Sequence, residues 1–188
     1  MTRSLDLQPT LRGELLELRP LRPDDFDALY AVASDPLIWE QHPNNDRWQE
    51  PVFRQFFQEA LASGGALLAT DRATGAVIGS SRYFGYDPAA DVVEIGWSFL
   101  ARACWGGRYN GEMKRLMLEN AFRAVGRVIF VIGPDNIRSQ RAVEKIGGRR
   151  AAERHEVRGQ PKVVYELTPT LYARHRAGEV ADGRHPGR

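Results

Sequence analysis

The segment between Glu94 and Gly148 constrains the fold most, because strand and helix signals alternate in it twice. An apolar strand leads into the glycine-containing turn Trp105–Asn110, and this turn opens a helix with apolar residues at helical spacing. A second apolar strand and a second helix, which begins with Asn136-Ile137-Arg138-Ser139, follow directly. A turn that opens a helix presents backbone N–H groups without intrahelical acceptors, at the positive end of the helix dipole. The sequence therefore predicts a phosphate-binding site at residues 105–110.

The length and composition of the chain predict one globular domain at residues 11–176, between a leader at 1–10 and a disordered tail at 177–188. The 188 residues are enough to bury a core without disulfides or metal, and we predict no metal site. Cys104 is the only cysteine, which excludes an internal disulfide and is typical of the reducing cytoplasm. The first ten residues lack the apolar stretch of a signal peptide, and no apolar run approaches the roughly 20 residues that span a bilayer. We therefore expect a cytoplasmic protein without a membrane partner.

The charged residues argue against a nucleic-acid partner. The net charge is +2, with 23 arginines and 3 lysines, and no basic run contains interleaved aromatic residues. The charge is nevertheless uneven along the chain. Residues 14–59 hold 10 acidic and 4 basic residues, whereas residues 138–162 hold 8 basic and 3 acidic residues.

Apolar periodicity and turn residues outline the remaining elements. Helices are predicted from Pro23 to the Asp35-Pro36 stop, and at residues 50–62, 110–125, 136–146 and 168–176. Strands are predicted near residues 15–21 and at 66–71, 76–86, 91–100, 127–133, 149–157 and 162–167. The short links between the three strands at 66–100 indicate an antiparallel meander. Residues 37–49 show no period and are interpreted as a loop.

This order of elements and the motifs at 94–148 resemble the GNAT superfamily of N-acetyltransferases. The motifs are most similar to its Rim-type branch, the ribosomal-protein N-terminal acetyltransferases and their relatives. The resemblance covers roughly residues 11–176. It implies an α/β (α+β) fold in which a mixed, strongly twisted sheet of about six to seven strands is flanked by about four helices, as in the family. It also implies transfer of an acetyl group from acetyl-CoA to an amine.

The resemblance implies that two motifs bind coenzyme A. The family's diphosphate turn, Gln/Arg-x-x-Gly-x-Gly/Ala, aligns with residues 103–108, where Gly106 matches while Ala103 and Arg108 depart. The Asn136-x-x-Ser139 motif is expected beside the pantetheine arm, although Asn136 is also a favoured helix N-cap. The basic residues Arg138, Arg141 and Lys145 either meet the phosphates or form a solvated helix face. The expected cofactor contacts are Trp97, Ser98, Phe99, Leu100, Trp105, Gly106, Gly107, Arg108, Tyr109, Asn110, Asn136, Ser139 and Arg141.

Acetylation of an amine needs a base for the amine proton and an acid for the departing thiolate. Glu94 is the first candidate for the base, because it interrupts the apolar run of a strand that borders the cofactor; the alternative is a structural ion pair with an arginine such as Arg82. Ser139 resembles the serine that protonates the thiolate in this branch; the alternative is a plain position on the helix. Val143 stands where many other members of the superfamily have a tyrosine for this role. Backbone N–H groups near residues 97–100 are expected to polarise the thioester carbonyl. Weaker candidates for the base are Glu112, His42 and Glu40.

In the family that the chain resembles, the first two helices and their loop form the acceptor entrance, and these coincide here with the acidic segment 14–59. An acidic entrance would attract a cationic amine, whereas the alternative is that two amphipathic helices merely have acidic solvent faces. Trp39, His42 and Trp48 offer walls for a pocket. The predicted acceptor contacts are Trp39, His42 and Glu94.

The sequence thus predicts an acetyl-CoA-dependent N-acetyltransferase that works by direct attack of a primary amine. A protein N-terminus and a small-molecule amine both stay open as acceptors, and so do a monomer and a homodimer. The main alternative is a non-catalytic acyl-CoA sensor or interaction module, which Arg108 and the missing tyrosine favour. A nucleic-acid binder is disfavoured by the charge pattern.

Overall fold

One mixed β-sheet runs through the molecule and carries helices on both faces. The computed structural model describes residues 4–152, 155–157 and 159–181. These ranges contain nine strands: β1 Leu11–Arg12, β2 Leu16–Pro20, β3 Ala66–Asp71, β4 Val77–Asp87, β5 Val92–Leu100, β6 Arg127–Ile132, β7 Arg149–Arg150, β8 His155–Val157 and β9 Gln160–Leu167. They also contain five α-helices: α1 Phe26–Ala33, α2 Glu50–Ala62, α3 Arg108–Ala121, α4 Ile137–Glu144 and α5 Pro169–Ala181.

The sheet is wider than the six to seven strands that we predicted, because the very short strands β1, β7 and β8 add to it. The strand order is β1-β2-β3-β4-β5-β6-β9-β7, and β8 also pairs with β9. The predicted meander of β3, β4 and β5 is antiparallel as expected. The strands β5 and β6 are parallel, which requires a crossover, and α3 supplies it.

The parallel pair opens after three residues. Register pairs join Val92–Glu94 of β5 to Arg127–Ile129 of β6, and the remainder of each strand has no partner in the other. Backbone N–H and C=O groups on the facing edges of the two strands therefore lack ladder partners beyond this point. The sheet is split at its centre, next to the ends of both α3 and α4.

Two apolar clusters cover the two faces of the sheet. On the face of α3, the Tyr83 hydroxyl donates to the Met117 carbonyl at 2.7 Å inside a fully buried cluster. On the other face, α1, α2 and the loop after α1 bury an aromatic cluster that includes Trp39, Phe53 and Phe99. Because strand residues alternate between faces, the neighbours of Tyr83 in β4 project toward α1 and α2.

Residues near both ends of the described part of the chain contact the core. Leu5, in the predicted leader, is buried, and its N–H donates to the Tyr86 hydroxyl at 3.3 Å. Helix α5 ends at Ala181, whereas the predicted helix ended at 176, and Leu171 and Tyr172 pack against the core beside α3. Residues 182–188 of the predicted tail lie outside the described residues. Across the described ranges, no helix combines the length and apolar character that a membrane crossing needs.

Candidate active site

A cleft of about 1190 Å³ runs from the turn before α3 to the split between β5 and β6. Its walls include Trp105–Arg108, the first turns of α3 and α4, and Ser98–Leu100 of β5. The volume exceeds that of an ordinary small-molecule pocket and suits a long nucleotide thioester. The cleft therefore joins the two motifs that the sequence analysis singled out.

The turn before α3 is built for close approach of an anion. Gly106 has φ +72°, a left-handed conformation that favours glycine, and no heavy atom lies within 4 Å of the position that its Cβ would take. Within the described ranges, no side chain caps the N-terminus of α3. The first-turn N–H groups therefore need an acceptor from outside the helix. The Arg108 side chain leaves the turn open, because it points toward Glu14 at 3.8 Å.

The start of α4 forms the opposite wall. The Asn136 Oδ1 atom accepts from the Ser139 N–H at 3.1 Å, so Asn136 is the N-cap of this helix. Ser139 lines the cleft, and its hydroxyl makes no hydrogen bond within the described residues. Arg141 is exposed on the cleft and has no ion pair there, so its guanidinium is available to a phosphate.

Arg138 connects α4 to the loop after α1. Its guanidinium lies 4.2 Å from the centre of the Trp105 ring, and Nη2 donates to the Ile38 carbonyl at 2.7 Å. Its backbone N–H donates to Gln41 Oε1 at 3.1 Å. Arg138 thus positions the loop 38–41 across the cleft, which is a different role from the phosphate contact that its sequence context suggested.

The side chains of two residues that the sequence analysis placed near the site bind other parts of the protein. The Tyr109 hydroxyl donates to Asp71 and anchors the start of α3 to β3, which leaves the backbone N–H of Tyr109 for the expected cofactor contact. Glu112, a weaker candidate for the base, accepts from the backbone N–H groups of Glu14, Leu15 and Leu16 at 2.8–2.9 Å. The carboxylate of Glu112 is thereby committed to the turn between β1 and β2.

A smaller cavity of about 130 Å³ passes through the split in the sheet. Seven residues line both this cavity and the large cleft, so the two spaces adjoin: Trp39, His42, Ser98, Asn110, Asn136, Ser139 and Ala142. On the α1 and α2 side its walls are Trp39, His42, Arg47 and Trp97. A ligand in the cleft and a ligand on the α1 and α2 side can therefore meet at this cavity.

Lys114 faces the smaller cavity from α3, and the sequence analysis had not assigned it a role. Its Nζ donates to Ser98 Oγ at 2.6 Å, and Ser98 Oγ lies 2.7 Å from Ser81 Oγ. Burial lowers the pKa of Lys114 to about 7, since no carboxylate of the described residues pairs with it. Lys114 precedes the buried residues Met117 and Leu118 by three and four positions, so a lysine on the apolar face of α3 is the signal that could have found it.

Glu94 lies on the face of the sheet that carries α1 and α2. It pairs in register with Phe84, as Gly96 does with Arg82, and directly opposite residues project to the same face. A Cβ at Gly96 would stand 3.2 Å from Glu94 Oε1, so the carboxylate lies over the glycine that lines the smaller cavity. Burial raises the pKa of Glu94 to about 7, although Arg82 works in the opposite direction. A carboxylate with a pKa near neutrality suits a general base.

The loop after α1 contributes an imidazole that stays neutral. His42 Nδ1 accepts from the Asn44 N–H at 2.9 Å, and His42 Nε2 lies 3.1 Å from Arg47 Nη1. Burial, together with the charges of Arg47, Lys162 and Arg138, lowers the pKa of His42 to about 3. Trp39 packs edge-on against the same ring, with 5.9 Å between ring centres. The field at this wall of the pocket is positive, in contrast to the acidic entrance suggested by the net charge of residues 14–59.

The residues of β5 that were predicted to contact the cofactor lie in two places, the large cleft and the face of the sheet that carries α1 and α2. Ser98 and the buried residues Phe99 and Leu100 line the large cleft, and the Leu100 carbonyl accepts from Trp105 Nε1 at 2.9 Å. Trp97 has φ +50°, next to a shift in the register between β4 and β5. Its ring packs on Phe84 and under the Arg82 guanidinium, which lies 4.7 Å from the ring centre. The Trp97 side chain therefore belongs to the α1 and α2 side, away from the turn before α3.

Comparisons with known proteins agree with this architecture. The acetyltransferase (GNAT) domain profile matches residues 16–149. A GCN5-related N-acetyltransferase from Brucella melitensis superposes with a TM-score of 0.75 at 21% identity, covering 90% of this chain and 85% of that one. An acetyltransferase from Agrobacterium tumefaciens str. C58 superposes at 0.68 with 26% identity, covering 85% and 94%. Mycobacterium smegmatis RimJ in complex with CoA-disulfide superposes at 0.67 with 19% identity, covering 94% of each chain. A comparison with curated protein sequences finds no match.

Proposed function

Because the chain belongs to the GNAT family of acetyltransferases, which use acetyl-CoA, we propose that it acetylates the primary amine of an acceptor by direct attack. One observation carries this proposal. The cleft with the uncapped start of α3 adjoins, through the split in the sheet, a cavity that reaches the face of Glu94. Donor and acceptor would thus approach the split from opposite sides of the sheet.

The residues of the cleft fit coenzyme A. The N–H groups at 107–110 and the helix dipole of α3 would hold the diphosphate, and Arg141 would add a charge-assisted contact. Asn136 would lie beside the pantetheine arm, where its side chain already fixes the first turn of α4. Bound acetyl-CoA supplies an acetyl group activated as a thioester. The unpaired backbone groups of β5 beyond Glu94 offer N–H donors for the carbonyl oxygen.

Glu94 would hold the proton that leaves the amine. Its raised pKa keeps the carboxylate basic enough to accept that proton near pH 7. Ser139 would serve the other end of the reaction, because its free hydroxyl can donate a proton to the departing sulfur. His42 is unsuited to the role of base, since its ring nitrogens face the N–H of Asn44 and the guanidinium of Arg47.

Direct attack is favoured over a covalent acetyl-enzyme. Cys104 is the only thiol of the chain and lines the cleft, but it is buried, and burial and the charge of Asp71 raise its pKa. A protonated thiol is a weak nucleophile. The attacking group is therefore the acceptor amine itself.

Calorimetric titration with acetyl-CoA, followed by thiol release with a panel of amines, tests this function. We expect binding at micromolar acetyl-CoA and release of one thiol for each amide formed. Binding without thiol release from any amine would support the alternative of a non-catalytic acyl-CoA sensor. The absence of binding at high micromolar acetyl-CoA would overturn both.

A further inference from the structure

Two guanidinium groups beside the proposed acceptor site have no carboxylate partner among the residues that the structure describes. Arg82 is only 4% exposed, and no described residue forms a hydrogen bond with its Nε or Nη2 atom. Within the described residues, Arg82 forms no ion pair. Burial of a charge without a partner is costly, and such groups are normally paired or coordinated. The pair of donors on Arg82 therefore indicates an acceptor group that a ligand brings.

Arg47 lies next to Arg82. Both guanidinium groups lie over the Phe56 ring, at 4.5 Å for Arg47 and 5.6 Å for Arg82 from the ring centre. Burial and the charge of Arg82 lower the pKa of Arg47 to about 10. Glu59, Asp46 and Glu94 act on the two arginines only from beyond ion-pair distance. Two buried cations that repel each other beside the same aromatic ring favour an anion between or beside them.

The contact between Arg47 and His42 also indicates that Arg47 needs an acceptor from a ligand. A neutral imidazole has one lone pair in its plane, but His42 faces two donors, the Asn44 N–H at one nitrogen and Arg47 Nη1 at the other. One of the two donors therefore lacks an acceptor. A ligand oxygen at this position would satisfy Arg47 without disturbing the loop.

This cluster lies where the acceptor would bind. Arg47, His42 and Trp97 line the smaller cavity, and Arg82 stacks on the Trp97 ring. Arg82 and Glu94 project from the same face of neighbouring strands. An acceptor held by the arginines would thus present its other end near Glu94 and the split.

We propose that the acceptor is an amine that also carries an acidic group, a carboxylate or a phosphate, and that Arg47 and Arg82 bind this group. The inference rests on the proposed function and names its substrate class. Guanidinium groups bind such anions through two parallel hydrogen bonds, which fixes the orientation of the ligand as well as its charge. The proposal replaces the acidic entrance suggested by the composition of residues 14–59, because the charges that face the cavity are positive.

Matched acceptors test this proposal. Amino acids with increasing distance between amine and carboxylate are compared with their carboxamides and with the corresponding aminoalkyl phosphates, at saturating acetyl-CoA. We expect kcat/KM to be at least about 100-fold higher for an acidic form than for its amide, because the amide leaves the guanidinium groups unpaired. Carboxylate and phosphate arms show which anion fits. Equal rates for acid and amide, or no binding and no reaction of any acidic amine, would overturn the proposal.

Three variants locate the effect. Arg82→Met and Arg47→Met should abolish the preference for the acidic form, while acetyl-CoA affinity measured by calorimetry stays within about two-fold of the wild type. Arg54→Met is the matched control, since Arg54 stacks on Phe26 at 4.1 Å but is exposed and already paired with Glu50 at 2.5 Å. A preserved preference in both Arg82→Met and Arg47→Met would contradict the proposal. If the wild type itself does not bind acetyl-CoA, the proposed acetyltransferase function is refuted instead.

Calorimetric binding of the preferred acidic amine in the presence of coenzyme A, which carries no acetyl group to transfer, supplies a readout that does not depend on turnover. Under these conditions the wild type should bind the acidic amine, and Arg82→Met should not. If Arg82→Met proves poorly folded, Arg82→Lys keeps the charge but loses the planar fork, and should weaken binding at least about ten-fold. If Arg82→Lys and Arg47→Met both bind the acidic amine as tightly as the wild type, the two arginines do not hold its acidic group.

Discussion

The two faces of the split sheet offer different groups to a ligand, backbone groups on one face and side chains on the other. The donor side consists mainly of backbone, namely the left-handed Gly106, the open N-terminus of α3 and the N-cap at Asn136. The proposed acceptor side consists of side chains, namely Glu94 and two arginines that form no ion pair within the described residues and lie on aromatic rings. Backbone geometry suits a cofactor that acetyltransferases of this family have in common. Side chains can change from one chain to the next, so we expect the proposed acceptor side to set the specificity.

The largest expected effect falls on the acceptor side. Glu94→Gln should lower kcat by about 100-fold or more, because a positioned base contributes roughly 10²–10⁴-fold to a proton transfer. In the wild type, kcat should rise as the pH increases through about 7, since the ionised carboxylate is the active form. The variant should lose this limb of the pH profile. Calorimetry should show acetyl-CoA affinity unchanged, and an unaltered kcat at saturating acceptor would remove Glu94 from the mechanism.

The free energy of unfolding should depend on the buried amine of Lys114 in the split. Lys114→Met replaces a buried ammonium with an apolar side chain of similar size, so we expect the variant to be at least as stable as the wild type at pH 7. The lowered pKa of Lys114 means that its neutral form stabilises the fold at high pH, and this contribution falls as the pH decreases from 10.5 toward about 7. Wild-type stability should therefore fall relative to the variant by about 1.4 kcal/mol per pH unit in this window.

Urea unfolding at pH 9 and pH 7 measures this difference. Lys145→Met serves as the control, because Lys145 is exposed at the end of α4. A constant gap between wild type and Lys114→Met at the two pH values would contradict the role assigned to burial.

The donor side should respond to a backbone change. Gly106→Ala places a Cβ on a residue with φ +72°, which costs about 1–2 kcal/mol and distorts the turn. We expect acetyl-CoA affinity to fall about ten-fold, which corresponds to 1.4 kcal/mol. Gly75→Ala is the matched control, because Gly75 has φ +74° in the hairpin between β3 and β4, away from the cleft. If both substitutions leave the dissociation constant unchanged, the turn does not hold the diphosphate.

The smallest effect is expected at Ser139. A thiol with a pKa near 8.5 leaves readily as a thiolate, so the proton from Ser139 contributes little to the rate. Ser139→Ala should lower kcat by less than about ten-fold at pH 7, and less still above pH 8.5. Steady-state rates across this pH range measure the effect. A larger loss that persists at high pH would mean that Ser139 acts on something other than the departing sulfur.

The contrast between the two sides also explains what the sequence could predict. Gly106 and Asn136 leave a signature because a left-handed turn and a helix N-cap each favour few residue types. Glu94 became a candidate because a carboxylate interrupts an apolar strand. Arg47, Arg82 and Lys114 come from a loop, a strand and a helix, so only the tertiary structure shows that they lie beside one split. The arginines and the lysine around the smaller cavity favour the alternative that the acidic residues of 14–59 face solvent, which composition could not decide because it does not distinguish residues that face solvent from those that face the cavity.

Initial-rate kinetics with both substrates varied test the central claim most directly. Direct attack across the split requires a ternary complex, so double-reciprocal plots should intersect, and mass spectrometry of the chain after incubation with acetyl-CoA alone should show no added acetyl group. Parallel lines together with an acetylated chain would indicate a covalent acetyl-enzyme. That result would contradict an account in which donor and acceptor meet from opposite faces of the sheet.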